Sequence, residues 1–378
     1  MKILIAAGGT GGHINPALAA ATALRSLQAD VEILFVGARG KMEERLVPQA
    51  GFALRLVDSA GFYRALTPKA MAHNVQSAAL LLKSTGQVRG ILHEWKPDVV
   101  AGFGGYVTGA VLRVAQSRGI PTVIHEQNAF PGITNKALAR RADAVLLTSE
   151  KAAQFLRTRV QPRVTGLPVR AELPAANKQE SRFMLGLDDR PFLLSMGGSL
   201  GAQPINEAML DVVAAHAKSA DCHIMHAAGT ETAAQSFRDA LAARGVELSH
   251  ARHITIRPYI TDMARCLSAA DLVVCRAGAS SLAEFQACGK PSILIPSPYV
   301  AENHQFHNAQ ALVERGAAQL IEEKDLADDR LTRSVKALLF DSARLAEMGA
   351  AAKAMAHPGA AESIAKAILG VGNLASSL

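Results

Sequence analysis

Short runs of apolar and β-branched residues alternate along this chain with longer stretches whose apolar positions recur at helical spacing. In the first half, residues 2–7, 31–36, 53–57, 98–103, 122–125 and 144–148 read as strands, and 16–28, 68–95 and 108–117 as helices. Nearly continuous apolar strands separated by helices predict a parallel sheet covered on both faces. The pattern then starts again. Residues 192–196, 222–227, 254–259, 272–275, 292–295 and 319–322 read as strands, with helices over 204–218, 231–244 and 303–314. Both halves open with a strand, a glycine loop and a helix, "ILIAAGGTGGH" and "FLLSMGGSLGAQP". The stretch "TGLPVRAELPAANKQESR", 165–182, reads as the linker between them. The economical prediction is an α/β chain of two Rossmann-like parallel-sheet domains facing across a cleft.

Composition agrees with two soluble cores. The chain has 378 residues, 49% hydrophobic and 19% charged, too long for one ordinary core. No run reaches the ~18 apolar residues of a membrane span, and "MKILIAAGGTGG" reads as a buried strand rather than a leader. Cys222, Cys266, Cys275 and Cys288 have no metal-like spacing and read as reduced core thiols. The formal charge of +7 suits an anionic partner. Aromatics are only 4% and no basic run interleaves with them, so nucleic acid is the weakest candidate.

Chemistry concentrates where strands end. A glycine loop leading into a helix offers backbone N–H groups beside the positive end of the helix dipole, which suits phosphate. Three such segments occur: 8–12, 102–105 and 197–201. In the first, Asn15 is the expected helix cap and Pro16 the first helical residue. The dinucleotide pattern G-x-G-x-x-G is absent, and "VEILFVGARG" ends without the ribose-binding acid, which disfavours NAD. In "DLVVCRAGASSLAEFQACGKP", 271–291, Glu284 reads either as the partner of Ser281 in a capping box or as the acceptor of a ribose diol. "HEQNAFPGITNK" places His125, Glu126, Gln127 and Asn128 at a strand end, four polar side chains hard to assign to a core. "PYVAENHQFHNA" does the same with His304, Gln305 and Asn308, although Asn303 reads equally as a cap and His307 as a surface residue. His223 and His226 read as a satisfied pair rather than as metal ligands.

Taken in order, "GGTGGH", "GFGGYVTGA", "HEQNAFPGITNK", "GGSLGA", "RAGASSLAE" and "NHQFHNA" resemble the MurG family of bacterial peptidoglycan N-acetylglucosaminyltransferases. Each motif alone is weak; six in order, from the first strand to about Leu312, are specific. The resemblance implies a GT-B fold, with an acceptor- and membrane-facing domain over 1–166 and a UDP-sugar domain over 167–356. The last helix, 357–378, is expected to pack back on the first domain. It implies inverting transfer of N-acetylglucosamine from UDP to the 4-hydroxyl of an undecaprenyl-diphosphate-linked muramoyl-peptide, lipid I to lipid II, with no cofactor and no metal.

Carried over by residue, Ile260 would hold uracil through its backbone and Glu284 the ribose. Ser199, Ala279, Ser280 and Ser281, with the adjoining Leu282 and Ala283, would face the phosphates. Asn128, Arg170, Gln305, Thr10, Gly11 and Gly12 would complete the site, and His13 would be the general base. Leu200 stands where the family usually has Gln, Leu167 where it usually has Asn, and Ser281 where Thr is common. Residues 66–97 carry Lys69, Lys83 and Arg89 beside an apolar helical face. That face reads mainly as packed on the sheet, with one end suited to an anionic membrane surface. The implied location is the cytoplasmic face of the bacterial inner membrane, attached peripherally. Two other readings share the features: a non-hydrolysing nucleotide-sugar epimerase and a non-catalytic nucleotide-sugar-binding subunit.

Overall fold

The computed structural model describes residues 1–58, 68–170, 172–198, 200–327 and 329–376. The chain divides into two compact units, Met1–Pro168 with Gly359–Leu378, and Val169–Pro358. Strands of the first unit are β1 (Lys2–Ala6), β2 (Glu32–Ala38), β3 (Ala53–Val57), β4 (Val99–Gly102), β5 (Thr122–Glu126), β6 (Ala144–Leu147) and β7 (Arg163–Val164). Those of the second are β8 (Phe192–Met196), β9 (His223–Ala227), β10 (Ile254–Arg257), β11 (Leu272–Cys275), β12 (Ser292–Leu294) and β13 (Ala318–Leu320).

Every pairing is parallel. The sheet orders are β3-β2-β1-β4-β5-β6-β7 and β10-β9-β8-β11-β12-β13. In each unit the order reverses once, beside the first strand: between β1 and β4, and between β8 and β11. Ligand crevices of doubly wound sheets lie beyond the strand ends at such points.

The apolar runs are continuous because both faces of each sheet are covered. Along β1, Ile3 and Ile5 pack with Ile14 and Leu24 of the helix Gly11–Leu27. Leu4 and Ala6 point the other way, against Val88, Leu92 and Val111. In β8, Leu193 joins one core and Phe192 and Leu194 the other. The final helix, Ala360–Ser376, completes the first unit: Ile364, Ala365 and Ile368 are fully buried beside Ile3 and Ile14.

The boundary between the units, Pro168/Val169, falls inside the stretch read as a linker, but two local details differ from expectation. Much of the supposed linker is helical, with turns at Glu172–Ala175 and Lys178–Met184. Asn177 Oδ1 accepts from Glu180 N at 3.1 Å, a side-chain cap, and Leu173 enters the core of the second unit. The first helix also starts earlier than Asn15 and Pro16. Thr10 is the N-cap residue, and its carbonyl accepts from both His13 N and Ile14 N at 3.1 Å. Pro16 then lies inside the helix, in its second turn, where it lacks the N–H that would bond to Gly12 O.

Ile368→Ala should cost about 2–5 kcal/mol and act on the first unit alone. Denaturant unfolding followed by hydrogen exchange should show lowered protection in β1 and β4, with β8 and β11 unchanged.

Candidate active site

At the first switch point the loops after β1 and β4 meet backbone to backbone. Gly104 and Gly105 have φ of +99° and +84°, the left-handed region that favours glycine. A Cβ on Gly105 would collide with Gly8 O, and one on Gly104 would lie 2.7 Å from His13 Cδ2 and 2.9 Å from its Nε2. Thr108 Oγ1 pins this crossing, 2.7 Å from Gly104 O and 3.0 Å from Ala6 O. His13 is half-buried on the first helical turn. Its Nδ1 donates to Gly8 O at 3.0 Å and lies 3.3 Å from Thr10 Oγ1. A carbonyl can only accept, so the neutral ring carries its proton on Nδ1 and Nε2 is the basic nitrogen.

The glycines of "GGTGGH" therefore divide. At Gly8 a Cβ would strike the carboxylate of Glu43, so packing alone requires glycine there. Gly9 supplies a φ of +87°. Gly11 and Gly12 are half-buried and open the helix, where backbone N–H groups precede the helical ladder.

"HEQN" turns mostly inward, against its reading as four ligand groups. His125, Glu126 and Gln127 are 1%, 2% and 4% exposed. His125 Nε2 donates to Gly166 O at 2.9 Å, and Gln127 Nε2 to Phe103 O at 2.6 Å. Glu126 accepts from Asn128 N, Asn128 Nδ2, Gly132 N and Asn135 Nδ2 at 2.8–3.3 Å. Burial raises its carboxyl above the ordinary value although these bonds oppose the shift. Asn128 is half-buried, so it alone of the four stands at the rim.

At the second switch point the helix Ala279–Cys288 starts beyond β11. Its first backbone bond runs from Leu282 N to Gly278 O at 3.1 Å, so the amides of Ala279, Ser280 and Ser281 stand ahead of the ladder. Leu282 and Ala283 are buried in the core and could meet a ligand only through their backbone.

No capping box forms. Gly278 is the N-cap residue, and Glu284 sits in the second turn with Oε1 accepting from Arg170 Nη2 at 3.0 Å and Nε at 3.3 Å. Burial raises the Glu284 carboxyl, opposed by Arg170. Gln305 Oε1 accepts from Ser297 N at 2.9 Å, and buried Asn308 Nδ2 donates to Ala277 O at 3.2 Å.

The loop after β8 is held as tightly as that after β1. A Cβ on Gly201 would strike Ala228 O, and one on Gly229 would strike Leu200 O. Leu200 is 83% exposed and Leu167 only 4%. Ile260 is 3% exposed, its side chain packed in the core of the second unit. Ser199 and the side chain of Lys69 lie outside the described residues. Lys83 pairs with Asp58 at 2.8 Å.

The remaining polar candidates are structural. His226 Nδ1 is 3.1 Å from Ser195 Oγ, and His223 Nε2 donates to Asp188 Oδ1 at 2.8 Å. The thiols of Cys222, Cys266 and Cys275 are buried and pushed up to about 12 by desolvation, hence protonated. Residues that sequence reasoning missed are Glu43, Thr108 and the Arg276–Glu323 ion pair at 2.5 Å. "GKMEERL" carries no pattern that marks Glu43.

Two parallel-sheet units with glycine loops at both switch points fit the GT-B architecture, and the family models that match both units make the chain a glycosyltransferase. The chain belongs to glycosyltransferase family 28: the family's N-terminal domain matches residues 3–147 and its C-terminal domain residues 192–364. A UDP-N-acetylglucosamine–N-acetylmuramyl-(pentapeptide) pyrophosphoryl-undecaprenol N-acetylglucosamine transferase from Desulforamulus reducens is 42% identical over 369 residues, 97% of this chain and 98% of the relative. The crystal structure of Acinetobacter baumannii MurG superposes with a TM-score of 0.78 at 28% identity, covering 98% and 99% of the two chains. A UDP-N-acetylglucosamine 2-epimerase structure from Listeria monocytogenes, at 15% identity, 98% and 95% coverage and TM-score 0.65, shares the fold alone.

Burial lowers His125 from 6.5 to about 4. Between these values the unfolded chain binds the extra proton, so His125 makes stability fall as pH falls, at about 1.4 kcal/mol per unit. Glu126, shifted upward, works in the opposite direction in both wild type and a His125→Gln variant. The wild-type stability minus that of His125→Gln, from urea melts, should therefore decline from pH 6.5 towards 4 and stay flat above pH 7.

Proposed function

We propose that this chain transfers N-acetylglucosamine from UDP to the 4-hydroxyl of an undecaprenyl-diphosphate-linked N-acetylmuramoyl-peptide, with inversion. The observation that carries the mechanism is the hydrogen bond from His13 Nδ1 to Gly8 O, which leaves Nε2 as the base. Nε2 takes the hydroxyl proton as the oxygen attacks the anomeric carbon. The bond from that carbon to the diphosphate breaks, and UDP leaves with the electron pair. Amides at the start of the helix Ala279–Cys288 are suited to the charge gathered on it. The second unit is read as the donor side, with Glu284, kept in place by Arg170, accepting the ribose hydroxyls. Ile260, Ser199, Gln305 and Asn128 are read as further donor contacts, and Thr10, Gly11 and Gly12 as amides towards a diphosphate.

The acceptor's hydrocarbon tail stays in a bilayer, so the enzyme must work at its surface. Among the described residues no helix is long and apolar enough to cross a membrane. Peripheral attachment at the cytoplasmic face of the bacterial plasma membrane, through the helix Pro68–Trp95 and the chain's positive charge, fits this reading. An epimerase would instead need acids and bases around the sugar's second carbon. A binding-only subunit would have no use for an oriented His13.

UDP-N-acetylglucosamine at 100 times its dissociation constant should stabilise the protein by about 2.7 kcal/mol, and NAD should not; the reverse pattern in a thermal melt would defeat the transferase reading. Glu284→Ala should weaken donor binding by about 1.5–3 kcal/mol, measured by calorimetry. His13→Asn should lower turnover with a short-chain lipid I analogue by about 10²–10⁴-fold while calorimetric donor affinity holds. Near-normal turnover in that variant would leave His13 a positioning role only.

A further inference from the structure

The Gly8–Gly9 peptide group is engaged on both sides. Its carbonyl, on Gly8, accepts from His13 Nδ1 at 3.0 Å. Its N–H, on Gly9, donates to Glu43 Oε2 at 3.1 Å. Glu43 is 0% exposed, and its other oxygen accepts from Ala38 N at 2.8 Å. We propose that Glu43 is a positioning residue for His13, acting through this peptide group as the carboxylate of a three-part relay: carboxylate, peptide, imidazole. This rests on the reading of His13 as the base.

An anionic acceptor on the N–H side of an amide draws that proton and pushes charge onto the carbonyl oxygen, so hydrogen bonds on the two ends of one peptide strengthen each other. The stronger acceptor then holds His13 in its Nδ1–H tautomer and favours the imidazolium that forms when Nε2 takes the hydroxyl proton. A carboxylate bonded directly to Nδ1 does the same in hydrolase triads. Here the peptide stands between them, and the buried site protects the charge from water.

The glycine pattern around Glu43 is what such a relay requires. A Cβ on Gly8 would collide with Glu43 Oε1, and one on Gly37 would sit 2.5 Å from its Cγ. A Cβ on Gly105 would collide with Gly8 O, the atom that receives the His13 proton. Three glycines from three segments thus clear the path of one side chain and one carbonyl. The short helix Glu43–Gln49 begins at the residue that reaches the loop, so β2 and the catalytic loop are fastened by the same carboxylate.

The test begins with the unaltered protein. ¹⁵N NMR of labelled histidine should show neutral His13 with Nδ1 protonated and Nε2 as the lone-pair nitrogen; the opposite tautomer would overturn the relay. Glu43→Gln keeps the shape but brings a donor amide against one of two N–H groups. It should produce a tautomer mixture at His13 and lower kcat by about 10–100-fold, the scale of lost orienting partners, with KM for the UDP-sugar unchanged. Gly37→Ala, which displaces Glu43 while leaving Glu43, Gly8 and His13 chemically intact, should shift kcat and the tautomer in the same direction. Unchanged kcat and tautomer in folded Glu43→Gln, with His13→Asn inactive, would reject the relay and keep the base. An active His13→Asn would reject the base itself, and the relay with it.

Discussion

The structure depends on how closely two backbones can approach where the strand order reverses. In a parallel sheet every connection crosses a face, and at β1/β4 and β8/β11 consecutive connections leave in opposite directions. The loops at these points can be brought together only if side chains are removed from between them. Gly105 against Gly8 O is that place in the first unit; in the second, Gly201 against Ala228 O packs the loop after β8 on the loop after its other neighbour, β9. Both bring helix N-termini and their N–H groups to the ends of the strands, and in the first unit the crossing also fixes the ring of His13.

Buried polar groups then hold the loops in shape. His125, Gln127 and Glu126 spend nearly all their hydrogen-bonding capacity on backbone and on Asn128 and Asn135. Burying them is tolerable because each is bonded. In the second unit the Arg276–Glu323 pair and Asn308 do the same work for the segment after β11. Rigid loops matter for a group transfer, since donors that are already aimed need no reorganisation as charge develops.

How much of this the sequence disclosed follows from the range of the interactions. Most strands and several long helices were legible because period and apolar content are local: 192–196 and 68–95 appear in the fold with those bounds, whereas the helices Arg330–Leu339 and Ser342–Ala354 were not read. The loops that matter were legible from glycine clustering. The role of each glycine was not, because Gly8 answers to Glu43, thirty-five positions on, and Gly105 to Gly8. Capping was misjudged at Asn15 because the helix starts four residues earlier, at Gly11, and at Ser281 for a related reason. A side-chain cap competes with tertiary bonds, and Glu284 is taken by Arg170, while Ser281 reaches the Cys275 thiol. The polar run "HEQN" looked like a ligand set because nothing in sequence reveals that Gly166 O and Phe103 O await its donors.

The account's central claim is a single displacement in which one base, His13, activates the acceptor. The configuration of the product tests it most directly. The protein is given the α-linked UDP-N-acetylglucosamine and a short-chain lipid I analogue, and the new glycosidic linkage is read from the anomeric proton coupling by NMR. A large, trans-diaxial coupling, meaning a β linkage and inversion, is the predicted result. A small coupling, meaning an α linkage, would require a second displacement or front-face attack and would contradict the account.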